Sequence, residues 1–233
     1  MIKQILITIK RNIKATLARI KLKNIILKHY KSNHPMRVIV GSGADQIPGW
    51  ISTDFPVFDI TNERHWKFFF KKASIDLILG EHVLEHLCFN EIKVALKNVN
   101  AFLSPGGRFR IAVPDANHPS KYVYNLTKPG GQEPGADDHK IFFDMEIASR
   151  FAKMLNFDII FVEFFDGEGY LQSHPFEEDY GIIKRSATNY KGRFTNDKDE
   201  YDQLLASTPE HLRAQFLDKN FSYTSLIFDL IKK

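Results

Sequence analysis

"RVIVGSGADQIPGWISTDF", residues 37–55, is the stretch whose reading decides the fold. RVIV (37–40) is a short apolar run of the kind that forms a buried strand, and Gly41-Ser42-Gly43 stops it. A Gly-rich turn after a first strand lets a ligand approach the backbone at the carboxyl edge of a sheet. Asp54 then follows eleven residues after Gly43. A dinucleotide motif would place a third Gly three residues on and an acid about 20 residues further, beyond a full helix. Here Gln46 stands at the third position, and Pro48-Gly49-Trp50 make the connection a short turn. Little helix N-terminus is left to receive a pyrophosphate. The spacing suits a nucleoside whose ribose hydroxyls a carboxylate holds at the end of the next strand.

Outward from this stretch the chain alternates. WISTD (50–54), VFDI (57–60), SIDLILG (74–80), RFRIAVP (108–114), FDIIFVEFF (157–165) and YTSLIFDLI (223–231) read as further strands. NEIKVALKNVNAFL, with Asn90 as its cap, and MEIASRFAKMLNF carry apolar residues at helical spacing; the first ends at Ser104-Pro105-Gly106-Gly107. A Gly/Pro-rich loop runs from the RFRIAVP strand to about Asp138. Strands alternating with helices imply a mostly parallel sheet in an α/β fold.

Composition bounds the rest. The 233 residues suit one α/β domain with additions, and 43% hydrophobic residues supply an ordinary core. A single cysteine, Cys88, excludes an internal disulfide and fits a reducing compartment, so a cytoplasmic location is expected. The formal charge of +4 is unevenly placed: residues 1–34 hold nine Lys or Arg and no acid, leaving 23 basic against 28 acidic side chains elsewhere. The globular part is therefore mildly acidic, which argues against nucleic-acid binding. Leu6, Ile9, Ile13, Leu17, Ile20 and Leu27, with lysines between, predict an amphipathic helix over 1–34, ahead of a domain over 35–233. Such a helix packs on the domain or rests on anionic lipid at the inner membrane surface. Its apolar run ILITI, broken by Lys10, is too short for a signal peptide.

The ordered set RVIVGSGADQIPGWISTDF, SIDLILGEHVLEHL, FLSPGGRFRIAVPD, GADDHK and YTSLIFDL resembles a family of predicted S-adenosylmethionine-dependent methyltransferases of class I, over about residues 36–233. The resemblance implies a three-layer Rossmann-like sandwich whose seven-stranded, mostly parallel sheet has one antiparallel strand. It places Gly41, Ser42 and Gly43 against the methionine part of the cofactor and Asp54 on the ribose diol. Asp59, with Ile60 beside it, would face the adenine, and Glu81 and His82 would line the pocket after the fourth strand. NERHWKFFFKKASID departs from the Pro-rich turn of many relatives. The implied activity is methyl transfer to a small polar acceptor, such as a sugar hydroxyl of a cell-surface glycan, leaving S-adenosylhomocysteine.

For an alcohol acceptor a base must take the proton as the new bond forms. His139 is the first choice, with Asp115 or Asp138 orienting it or binding the acceptor, and His118 is a further candidate. Asp166 and Glu168 are lesser candidates for the acceptor's hydroxyls, and no metal is assigned. Two rivals stand. HVLEH (82–86) matches H-x-x-E-H, which on a helix would set His82 and His86 on one zinc with Glu85 as base and Glu163 as a conceivable third ligand. A non-catalytic scaffold that keeps the fold is the other.

Overall fold

The structure, a computed structural model, describes residues 2–32, 34–187, 198–217 and 224–233, with side chains from residue 13 onward. It is built on a seven-stranded sheet of order β2-β1-β3-β4-β7-β5-β6. The strands are β1 (Arg37–Val40), β2 (Ile51–Thr53), β3 (Ile75–Glu81), β4 (Leu103–Pro114), β5 (Phe157–Phe165), β6 (Leu171–Ser173) and β7 (Ser225–Lys232). β2, β1, β3 and β4 pair in parallel. β7 runs antiparallel between β4 and β5, and the three-residue β6 folds back on β5 at the edge.

Side chains alternate across the strands and separate two layers. Val38, Val40, Ile78, Phe109, Ile111, Val113, Leu226, Phe228 and Leu230 join one large core with the helices α1 (Ile2–His29), α2 (Glu63–Phe69), α3 (Phe89–Phe102) and α5 (Met145–Met154). Ile39, Leu79, Ala112 and Ile227 point the other way, onto Ile47, Trp50, Phe176 and Ile183. That second face also holds a buried ion pair. Arg110 donates to both carboxylate oxygens of Asp229 at 2.9 Å and to the carbonyls of Glu177 and Gly181. The short helices α4 (Lys121–Thr127), α6 (Lys198–Ser207) and α7 (Ala214–Leu217) form a small cluster around Phe165.

The basic helix is partly integral to this body. Leu22 and Ile26 are buried in the main core. Arg19 donates to the Pro56 and Val57 carbonyls, and Lys23 reaches those of Phe68 and Phe69.

Several expectations need correction. VFDI (57–60) is not a strand; it is a turn in which Phe58 packs edge-on to Trp66 at 4.9 Å between ring centres. NERHWKFFF, the departing segment, forms α2: Asn62 caps it by accepting from the Arg64 amide, and Lys67 pairs with Glu63 at 2.7 Å. The loop to Asp138 contains α4, capped by Ser120. Cys88, not Asn90, stands at the start of α3, with Glu91 accepting the Cys88 amide at 2.7 Å. HVLEH is not helical at i,i+4. His82 has a left-handed φ of 55°, and only Leu84–His86 coil, as a single 3₁₀ turn.

Candidate active site

The cleft lies outside the carboxyl ends of β1, β2 and β3. Ser42 donates its amide to the Thr53 carbonyl, and Thr53 Oγ1 donates to the Ile39 carbonyl at 2.7 Å, so the Gly-Ser-Gly turn is tied to both flanking strands. Residues 44–50 form turns with no helix, which removes the phosphate-binding helix N-terminus of a dinucleotide site. Gly41 has a φ of +64°, and a Cβ there would meet Val83 Cγ2 at 2.4 Å. Only glycine fits that conformation and that space.

Two cavities open along this edge. One, of about 400 Å³, is lined by Gly41, Gly43, Asp54, Phe55, Asp59 and Ile60 on one side and His82, Val83, His86 and Asp138 on the other. The second, of about 390 Å³, takes in Gly41, Ser42, Asp45, Glu81, His82, His86, Glu133, His139, Lys184 and Arg185. Gly41, His82 and His86 belong to both, so the two cavities adjoin at those residues, the waist of the cleft. All eight residues singled out for cofactor contact line one cavity or the other.

Their other commitments differ. Asp54 accepts the Phe55 amide at 2.8 Å through Oδ1. Asp59 Oδ1 accepts both the amide and the hydroxyl of Thr61, which fixes the turn before α2. Glu81 accepts the amides of Lys184 and Arg185, and its burial raises its pKa above the usual carboxylate range. This strap over the second cavity is held further by ion pairs of Lys184 with Asp45 and of Arg185 with Glu133, the latter at 2.6 Å.

At the waist lies a histidine–carboxylate cluster. His139 Nδ1 is 2.8 Å from the Thr127 carbonyl. A carbonyl only accepts, so Nδ1 carries the proton and Nε2 of the neutral ring keeps its lone pair. The His86 ring is 4.8 Å from that of His139, and its Nδ1 is 3.7 Å from Asp138. Below them Glu85 is wholly buried; His82 Nδ1 stands 3.0 Å from its Oε1, and His82 Nε2 is 3.2 Å from Ser225 Oγ.

Of the four candidate bases, His139 and Asp138 line the cleft; Asp115 and His118 are buried and line neither cavity. Asp115 accepts the amides of Phe165 and Asn117, and burial pushes its pKa up to about 7. His118 accepts the Ser120 amide between the rings of Phe165 and Phe216, and burial pushes its pKa down to about 3. Asp166 ties a turn by accepting from Glu168, Tyr170 and Gln172. Glu163 accepts from Ser173, Ser186 and Ala187 within β5 and its neighbours, which places it outside any His82–His86 ligand set. Sequence reasoning named His86 and Glu85 only for the zinc reading; His86 lines both cavities, and Glu85 is buried beneath it. It missed Lys184 and Arg185, whose position depends on a contact with Glu81 about a hundred residues away.

No protein-family profile matches the chain. No curated protein matches it either. Among solved structures it is similar to a SAM-dependent methyltransferase from Archaeoglobus fulgidus, with 13% identity, 94% of each chain covered and a TM-score of 0.45. It is also similar to a SAM-dependent methyltransferase from Thermotoga maritima described as a possible histamine N-methyltransferase (13% identity, 94% of this chain, 91% of that one, TM-score 0.45). A third is phosphoethanolamine N-methyltransferase 2 of Haemonchus contortus in complex with S-adenosyl-L-methionine, at 14% identity, 90% and 52% coverage and a TM-score of 0.43.

Proposed function

We propose that the protein is an S-adenosylmethionine-dependent methyltransferase that O-methylates a small hydroxylated acceptor, such as a sugar of a cell-surface glycan. The observation that carries this reading is the waisted cleft. One cavity is lined by Gly41, Gly43 and Asp54, and the other, which carries Glu81, Glu133, Lys184 and Arg185 on its wall, meets it at Gly41, His82 and His86. Each volume falls in the roughly 300–1,000 Å³ range of small-molecule pockets.

In this reading Asp54 holds the ribose diol, Asp59 and Ile60 flank the base, and Gly41 to Gly43 lie under the sulfur end. A bound sulfonium supplies an electrophilic methyl, so the hard chemistry belongs to the cofactor. The chain's task is alignment: the waist brings the acceptor's oxygen in line with that methyl, and positioning supplies most of the acceleration. Glu133, Arg185 and Lys184 offer polar contacts for acceptor hydroxyls, and the cluster at the waist takes charge of the proton that leaves the oxygen. The test is transfer of a tritium-labelled methyl group from S-adenosylmethionine into cell-envelope glycan fractions. Label in a sugar hydroxyl supports the reading, and label in no fraction at any protein concentration overturns it.

A further inference from the structure

We infer that the cluster at the waist of the cleft is a binding site for a divalent first-row transition-metal ion, held by Glu85, His86 and His139. This rests on the methyl-transfer reading and deepens it by assigning what the acceptor's oxygen meets. Ligand atoms of the three residues lie within 4.8 Å of one another. Ligands about 2.1 Å from a tetrahedral ion sit roughly 3.4 Å apart, so the side chains close on an ion with rotations on the order of an ångström.

An independent observation points the same way. Glu85 is wholly buried, and among the described residues neither carboxylate oxygen accepts a hydrogen bond; its close partner is the His82 ring, with Nδ1 3.0 Å from Oε1. A buried carboxylate whose close partner is an imidazole, cationic only when protonated, is costly, and a metal cation is one of the few partners that repays it. The surroundings also suit ligation. The Thr127 carbonyl fixes the His139 tautomer with Nε2 unprotonated, and Asp138 stands 3.7 Å from His86 Nδ1. Outer carbonyls and carboxylates orient ligating histidines in this way. Two imidazoles and one carboxylate favour zinc, cobalt, iron or manganese over magnesium or calcium.

Because His86 and His139 line the second cavity, the ion's remaining positions face the acceptor. A hydroxyl oxygen bound there gives up its proton to water near neutral pH. Its O–C bond then forms as the S–C bond breaks, with the electron pair returning to sulfur. With the ion bound, His139 is a ligand and not the base.

The test is titration of the EDTA-treated full chain with Co²⁺, read by its visible absorption, alongside titration with S-adenosylhomocysteine. Saturable binding of one Co²⁺ per chain is expected, weakened at least about 100-fold in Glu85→Gln and in His139→Ala. The exposed His174→Ala should bind as the parent does. Should Glu85→Gln fail to fold, the half-buried His139 decides alone. Absence of one-to-one binding, or equal affinity in parent and His139→Ala, overturns the site. S-adenosylhomocysteine binding that survives such a result leaves the methyl-transfer reading standing; its loss sinks that reading separately.

The outer face of α1 carries a second, independent inference: we propose that it docks on an anionic lipid surface. Ile13, Leu17, Ile20 and Leu27 are exposed along one stripe, half a turn round from the buried Leu22 and Ile26. Lys14, Lys21 and Lys28 run beside the stripe, and residues 1–34 hold no acid to repel phosphate headgroups. Cosedimentation with phosphatidylglycerol vesicles should exceed that with phosphatidylcholine vesicles, and Leu17→Glu should lower it at least about tenfold. Equal sedimentation with both vesicle types, or a self-associated dimer that Leu17→Glu dissolves, would overturn it.

Discussion

Replacing Gly41 by alanine should damage the cleft in two separable ways. The residue sits at φ +64°, where an L side chain costs about 1–2 kcal/mol. The added Cβ would also stand 2.4 Å from Val83 Cγ2, more than an ångström inside the ~3.5–4.0 Å of ordinary carbon contact. Overpacking of that kind adds about 1–3 kcal/mol. Gly41→Ala should therefore lose about 2–5 kcal/mol in urea unfolding at neutral pH, with the m-value unchanged. Val83→Ala removes Cγ2, so in that background Gly41→Ala should cost only the backbone share, about 1–2 kcal/mol. The difference is the coupling between the two positions. A loss below about 0.5 kcal/mol for Gly41→Ala, or the same loss in both backgrounds, would refute the reasoning.

Other consequences are as concrete. Asp229→Ala strands the buried Arg110 guanidinium and should cost about 3–5 kcal/mol of stability by denaturant unfolding. His139→Ala removes a general base or, with an ion bound, one of its ligands. It should keep S-adenosylhomocysteine binding and slow turnover by about 10²–10⁴-fold in the tritium assay; unchanged turnover removes His139 from the chemistry. Two buried groups should oppose each other in pH. The folded pKa of His118 is depressed to about 3, so its stability is present above its unfolded value and is lost as pH falls. The folded pKa of Asp115 is raised to about 7, so its contribution is present below the unfolded carboxylate value and is lost as pH rises. Between about pH 4 and 6.5 each slope is ~1.4 kcal/mol per pH unit, of opposite sign. The parent should be nearly flat there, His118→Asn should lose stability with rising pH, and Asp115→Asn should gain it. Chemical denaturation at three pH values distinguishes these.

Much of the frame was legible because strands and turns are written locally. RVIV, SIDLILG and RFRIAVP are apolar runs rich in β-branched residues and bounded by Gly or Pro, and Gly41 sits where only glycine fits. The failures came where a distant partner decided. VFDI alternates like a strand, yet Phe58 is better buried in the Trp66 cluster under α2 than paired on an edge. The spacing of HVLEH fits a helix, but the left-handed His82 ends β3 first and turns the chain so that His82 and Glu85 face each other. β6 is three half-buried residues whose pairing depends on β5. The spacing picked out Asp54, Gly41, Ser42 and Gly43, which all line the cleft. The strap through Lys184 and Arg185 was not readable, since nothing near position 184 shows that Glu81 will accept its amide.

The most direct measurement is calorimetric titration of S-adenosylhomocysteine into the parent protein and into Asp54→Ala. The account predicts one site per chain in the parent and a loss of ~1.5–3 kcal/mol, about 10- to 150-fold in Kd, when the carboxylate is removed from a fold that stays intact. A parent that binds nothing, or an Asp54→Ala variant that binds as tightly as the parent, would contradict it.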